Sequence, residues 1–382
     1  MKKNRNFMLL SIIAVLQGLV FYAPIATLYR QNRGIGLYDI FVIETINLVL
    51  TIFFEVPWGF FADKFGYKNT LVIAFLVNFI SKIVFFKANN FSLFLLERIL
   101  LAISISGVSG CDIALIYNSV GEKNSERAFS LYNTFSIIGF FIGTVLSTFI
   151  ISKSMNLAVL ATIFPYGAAF VVSLFLKDTV CDMDKKESIK DVLKATIKSK
   201  DILIFLVAIG LTSEVCHSIT VFLNQLQYKR AGIEVKYYGL ILALVQIISI
   251  VSVKTYKLTG KFGKGKVITF IFCAILLSSI SLIWVNNPIV SVILIVIIGL
   301  GQAVIIPIAS EIESKSVKVS SRATVLSVYA IIIDIIAALI NLIIGKAANY
   351  SIEAAFLTCG VLVLFAVVLN IIYFKRRIFK NE

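Results

Sequence analysis

Apolar runs of about 20 residues recur twelve times along this chain, separated by short polar segments. A run of that length crosses a hydrocarbon core of about 30 Å as a helix. Lipid offers a backbone no hydrogen bonds, so each run is constrained to satisfy its own amides as a helix. Composition agrees. Of 382 residues, 59% are hydrophobic and 15% charged, where a soluble domain carries about 25% charged residues. The implied fold class is all-α and integral to the membrane. Twelve transmembrane helices are expected at 7–28, 38–60, 70–88, 91–118, 128–152, 156–176, 201–223, 237–256, 266–285, 288–310, 322–345 and 352–374.

The polar stretch 177–200 separates six spans from six. It divides the chain into an N-terminal bundle over 1–176, a cytoplasmic linker, and a C-terminal bundle over 201–382. Ile189, Val192, Leu193 and Ile197 in the linker have the spacing of a short amphipathic helix on the membrane face. A plain solvated linker is the alternative.

The net charge of +15 would suit a nucleic-acid partner if it lay on one soluble face. It lies instead in short loops. With the N-terminus inside, the inner segments hold 26 of the 36 basic residues and the outer side eight, Arg30 among them. The positive-inside rule then puts both termini in the cytoplasm, and nucleic acid is not expected as a partner. Lys82 and Arg98 fall within spans, and Lys82 is expected to snorkel to the outer interface. The five cysteines have no CxxC spacing, so neither a disulfide nor a metal site is expected. Met1-Lys2-Lys3 before an apolar run resembles a secretion signal. The run Phe7 to Leu28 is too long for one and lacks a small-residue cleavage site, so it reads as the first span.

The two halves repeat. Gly59-Phe60-Phe61-Ala62-Asp63-Lys64-Phe65-Gly66-Tyr67-Lys68 reads as a tight polar turn between two spans. A weaker copy, Tyr256 to Gly265, lies 197 positions later. Ser125-Glu126-Arg127-Ala128 and Ser320-Ser321-Arg322-Ala323 open the fifth and eleventh spans, and Gln17 and Glu214 are 197 apart. The second basic turn fits most of a phosphate-binding loop. Val267 replaces the required Ser or Thr and no strand precedes it, so nucleotide binding is not expected. No other stretch suggests ATP hydrolysis or an enzyme, and the energy source is expected to be an ion gradient without a cofactor.

On these residues the chain resembles the major facilitator superfamily along its whole length, and within it the bacterial drug/proton antiporters. Gly59, Asp63, Lys64, Gly66 and Lys68 match the family's loop signature between helices two and three; Tyr67 departs from the usual basic residue. The resemblance implies two pseudo-symmetric six-helix bundles with a substrate site between them. It also implies that Asp63 engages the start of helix eleven, near Ser320–Arg322. Glu55 and Arg127 are expected to join this gate. Gly260 stands where Asp63 would be in the second copy, so the latch is one-sided.

Ionisable groups within spans mark transport pathways by default. The candidates are Glu44, Glu55, Arg98, Asp112, Glu214, His217 and Asp334. Helical spacing puts Glu44, Thr51 and Glu55 on one face, Arg98, Ser109 and Asp112 on another, and Ser327, Asp334 and Asn341 on a third. Glu214 and His217, three apart at mid-depth, can exchange a proton or form a closed hydrogen-bonded pair. Glu214 is the expected coupling acid, with Asp334 or Glu44 as second choice. Arg98 resembles the family's helix-four arginine; a structural pair with Glu97 or Glu44 is the alternative. Gly139 and Gly143 in the fifth span suit close helix packing. The longer glycine-proline version seen in the family's antiporters is missing.

The helices that the resemblance places around the cavity offer Gln17, Phe21, Tyr22, Tyr117, Asn118, Phe222, Asn224 and Gln302. Aromatic and amide groups with few fixed charges suit neutral or weakly cationic amphipathic compounds. The leading expectation is a monomeric, proton-driven exporter of such drug-like compounds in a bacterial inner membrane. Its alternatives are an uptake symporter for a sugar or organic acid, and a sensor or scaffold that does not transport.

Overall fold

A computed structural model describes residues 4–177, 200–316 and 322–381, and no strand occurs among them. Eleven helices among the described residues are long and apolar enough to cross a membrane. We number them as spans in chain order. Spans one to six are Arg5–Asn32, Leu37–Phe65, Tyr67–Lys87, Phe91–Val120, Glu122–Ile151 and Met155–Ser173; span seven is Asp201–Arg230. Span eight is the shorter apolar helix Val235–Ser249. Spans nine to twelve are Lys264–Ser281, Pro288–Ser316, Val325–Tyr350 and Ile352–Arg376. The residues of the expected linker helix, Ser320 and Ser321 of the expected helix-eleven contact, and Cys181 lie outside the described residues.

Contacts group the chain into two compact units. The first takes in Met1–Ile35, Ile46–Asp184 and Val235–Ala243, and the second Gly36–Thr45, Lys185–Glu234 and Leu244–Glu382. In the first unit, spans one and five touch through glycine. A Cβ on Gly139 would strike the backbone of Val15, and one on Gly18 would come within 2.9 Å of the backbone of Gly139 and Phe140. The GxxxG pair therefore packs, as its spacing predicts. The Val235–Ala243 segment joins the same unit through Gly239, which sits against Thr144, Ser147 and Thr148 of span five. In the second unit Phe41 packs on Gly345, and Thr45 Oγ1 lies 3.3 Å from the carbonyl of Ala338.

The repeat extends to how the helices end. Gly34 and Gly232, at φ +82° and +77°, close spans one and seven. After each helix the backbone amide folds back, Ile35 onto the carbonyl of Arg30 and Ile233 onto that of Tyr228. Asn90 and Asn287, 197 apart, cap spans four and ten, each accepting from backbone amides of the first turn at 3.0–3.1 Å. Such side-chain acceptors satisfy amides that a helix start leaves unpaired.

The two basic turns are smaller than the sequence suggests. Span two stays helical through Gly59 and Asp63 to Phe65, and Thr255–Phe262 is helical in the second copy. Each break is one residue, Gly66 (φ 86°, ψ 158°) and Gly263 (φ 81°, ψ 147°). Only glycine adopts that backbone region readily. Phe60, Phe61, Ala62 and Lys64 have nothing in them that stops a helix, so the glycine alone does.

Three expected spans are not simple rods. Span one ends a first helix at Gly18 and resumes through a 3-10 turn at Ala23–Ile25, where Pro24 lacks an amide donor, into Ala26–Asn32. Span four breaks at Ser109–Gly110, with Gly110 at φ 77°. The region expected as span eight passes through the 3-10 stretch Ile250–Lys254 before the Thr255–Phe262 helix.

Candidate functional site

The break in span one leaves backbone groups to satisfy. The Tyr166 hydroxyl of span six donates to the carbonyl of Gln17 at 2.8 Å, and the amide of Phe21 donates to Thr162 Oγ1 at 3.1 Å. Tyr22 turns onto the ring of Phe85, with centroids 4.4 Å apart. Past the break, Arg30 is buried with its guanidinium 5.0 Å from the centre of the Phe85 ring. It lies 3.8 Å from Glu97, which is also 3.5 Å from Arg98.

Beside this group Lys82 is 3% exposed, and its ammonium sits 4.9 Å from the centre of the Tyr166 ring. Lys82 was expected to snorkel outward. It does the reverse, because its stem leaves span three on the side that meets span six. Arg30 was expected in an outer loop. The span runs on to Asn32 and carries it inside. The first unit thus holds an Arg30–Glu97–Arg98 group, with Arg30 and Glu97 buried and Arg98 half-buried, and a buried Lys82 set on the Tyr166 ring. Of these the sequence pointed to Arg98 and its pairing with Glu97. Lys82 and Glu97, charges inside apolar runs, were visible signals; Arg30 was not.

The second unit has its own cluster, built on span seven. The Lys200–His217 helix passes into a π-helical stretch, Ser218–Leu223, before Asn224–Arg230. Such bulges are rare and frequent at functional sites. Glu214 is buried, and His217 Nδ1 lies 3.5 Å from its Oε1. Ser218 Oγ donates to the same oxygen at 3.2 Å and lies 3.5 Å from Oδ1 of Asn341. The His217 ring meets Phe222 edge-on, 5.5 Å between centres, and Phe41 packs on Phe222 at 5.2 Å. A buried carboxylate with an imidazole at 3.5 Å and a hydroxyl at 3.2 Å, the hydroxyl in turn 3.5 Å from an amide, has the groups needed to hold a proton.

The other expected site residues are more scattered. Asp334 is half-buried on span eleven, two turns from Asn341, which the structure brings to Ser218 instead. Glu44 is buried in the Gly36–Thr45 segment. The helix breaks at Ser109–Gly110, so the helical spacing expected to align Arg98, Ser109 and Asp112 is interrupted before Asp112. Asp112 sits in the first turn of Cys111–Val120 and accepts from the Tyr132 hydroxyl at 2.9 Å. A carboxylate there meets the positive end of the helix dipole.

Phe21, Tyr22, Phe222 and Asn224 are buried, while Tyr117 and Asn118 are exposed and Gln302 is half-buried. Ser327, expected in one stripe with Asp334, is exposed. The expected gate network does not form within the first unit. Glu55, Asp63 and Arg127 are all exposed, and none pairs with another. Exposed charges gain little from pairing. Lys64 lies over the Phe65 ring at 5.2 Å, and Lys68 is half-buried. No cluster of three or more metal-ligating side chains occurs among the described residues.

Two repeated sets of apolar helices, each with ionisable groups sealed inside its spans, define a multi-pass membrane transport protein. A model of the Major Facilitator Superfamily matches residues 7–341, and the chain belongs to that family. Among curated relatives, an uncharacterized MFS-type transporter, YxaM, of Bacillus subtilis is 25% identical over 208 residues, 51% of this chain and 52% of that one. An uncharacterized transporter of Buchnera aphidicola is 25% identical over 156 residues, 40% of this chain and 38% of that one. The chain thus spans about half the length, or less, of the curated relatives it matches.

Solved structures share the fold over nearly full length. The nucleoside transporter NupG (D323A mutant) superposes with a TM-score of 0.82 at 15% identity, covering 97% of this chain and 99% of that one. A D-xylose-proton symporter gives 0.74 at 12% identity, with 96% of each chain covered. The family and these neighbours are transporters.

Proposed function

We propose that the chain is a proton-coupled secondary transporter of a small, neutral solute rich in hydrogen-bonding groups, working by alternating access in a bacterial inner membrane. It would act as a monomer with both termini cytoplasmic, and the proton gradient would replace any cofactor. One observation carries the coupling: Glu214 is buried inside span seven, one turn before a π-helical stretch, with His217 and Ser218 on the same oxygen. Ionisable groups placed so deep are rare without a transport role.

The solute class rests on the buried amides Asn224, Gln225 and Gln227 of span seven, and on fold neighbours described as a nucleoside transporter and a D-xylose-proton symporter. Efflux of amphipathic compounds is the second reading. It is favoured by the aromatic set Phe41, Phe222 and His217 packed against the same site.

Proteoliposomes test both. A pH gradient should drive accumulation of nucleosides or pentoses, and Glu214→Gln should abolish that while counterflow persists. Gradient-driven accumulation that survives Glu214→Gln overturns the coupling role. Protonophore-sensitive extrusion of ethidium, with no uptake of either metabolite class, selects efflux.

A further inference from the structure

The second basic turn lies outside the Glu214, His217, Ser218 and Asn341 group and borders a groove. The groove lies within the second unit, between the Thr255–Phe262 helix, span nine and span ten. Its volume is about 540 Å³, within the range of about 300–1,000 Å³ usual for small-molecule sites. Leu258, Phe262, Phe270, Ala274 and Val304 line it, and Lys266 is the one charged side chain in the lining. Exposed apolar surface is ordinary on a membrane protein, so the groove alone names no occupant. The charge around it does.

Five lysines, Lys254, Lys257, Lys261, Lys264 and Lys266, fall within thirteen residues with no acid among them. Lys264 pairs with Glu311 at 2.5 Å, and Lys315 shares that carboxylate at 2.7 Å. Lys257, Lys261 and Lys266 are exposed and pair with no described carboxylate. Lys257 and Lys261 are one helical turn apart and so share a face. Lys261 reaches the groove wall, with its ammonium 5.3 Å from the centre of the Phe262 ring. The matching turn of the first unit carries Asp63 where this one has Gly260, so only the second is acid-free.

We propose that the groove holds one acyl chain of an anionic phospholipid from the lysine-rich leaflet, with its phosphate among Lys257, Lys261 and Lys266. An apolar slot roofed by cations matches a molecule that is apolar along its tail and anionic at its head. Basic pockets beside membrane helices on the positive side recognise such lipids.

Native mass spectrometry of the full-length protein in mild detergent tests this, titrated with dioleoyl phosphatidylglycerol or dioleoyl phosphatidylcholine. The expected result is one retained phosphatidylglycerol, preferred about tenfold or more over phosphatidylcholine. Lys257→Gln, Lys261→Gln and Lys266→Gln should each lower that preference, by up to about fivefold. Ala274→Phe, which fills the groove, should reduce retention of both lipids. The site is refuted by equal retention of the two lipids, by lysine and Ala274 variants that behave as the parent, or by displacement with soluble glycerol phosphate. A lipid-free dimer that covers the groove would also refute it.

Discussion

Arg30 and Glu97 form an ion pair at 3.8 Å with their side chains 2% and 1% exposed. The pair joins span one, beyond its break, to span four. Removing Glu97 takes this buried carboxylate from Arg30, at a cost of about 3–5 kcal/mol; removing Arg30 should cost less, because Glu97 keeps Arg98 at 3.5 Å. Arg30→Gln and Glu97→Gln should each lower the thermal midpoint of the detergent-solubilised protein, Glu97→Gln by several degrees and Arg30→Gln by less. An unchanged midpoint in both would show that the pair carries no stability.

Lys82 differs from Arg30 in lacking a carboxylate in contact. Its ammonium rests on the Tyr166 ring, and its stem is packed in the first unit. Lys82→Met keeps the volume and removes the desolvated charge. Stability should therefore hold or rise by about 1 kcal/mol, while transport falls if the cation serves the substrate path. Tyr166→Phe should cost about 1 kcal/mol through the lost bond to the Gln17 carbonyl. Chemical denaturation monitored by tryptophan fluorescence reads both.

The glycines of the two basic turns should separate into two kinds. Gly66 and Gly263 hold positive φ, whereas a Cβ on Gly59 or Gly260 would meet nothing within 4 Å. Alanine at 66 or 263 should destabilise by about 1–3 kcal/mol. Alanine at 59 or 260, inside helices, should be neutral or stabilise by about 0.5–1 kcal/mol. Thermal midpoints of the four single variants check the contrast.

Gly139 is tighter still, since its neighbour is the Val15 backbone, which has no rotamer to change. Gly139→Ala should force spans one and five apart and cost about 1–3 kcal/mol. Gly143→Ala faces the Gly18 carbonyl and Leu19 Cα at 3.1 Å and should cost less. Retention of a monodisperse size-exclusion peak on warming would rank the two.

The order of residues alone makes this chain a set of membrane helices in two repeated halves. Hydrocarbon thickness fixes the length of a run, and lipid forbids any backbone but a helix. The 197-residue offset of the basic turns then recurs in Asn90 and Asn287, which cap matching helices. The pairing of Glu214 with His217 was equally legible, because three residues is nearly one helical turn and both sit on one element.

Helix packing, by contrast, set the direction in which the charges of spans one, three and four point. A run that is apolar all round carries no amphipathic face from which to read an inside. Lys82 can reach water or Tyr166 with equal sense until span six is placed beside it. The breaks at Gly18–Ala23 and Ser109–Gly110 interrupt the regular helical spacing, so Asp112 starts a new helix after Arg98, and Arg30, past the first break, meets Glu97. Those choices belong to neighbouring helices, and no spacing along one helix encodes them.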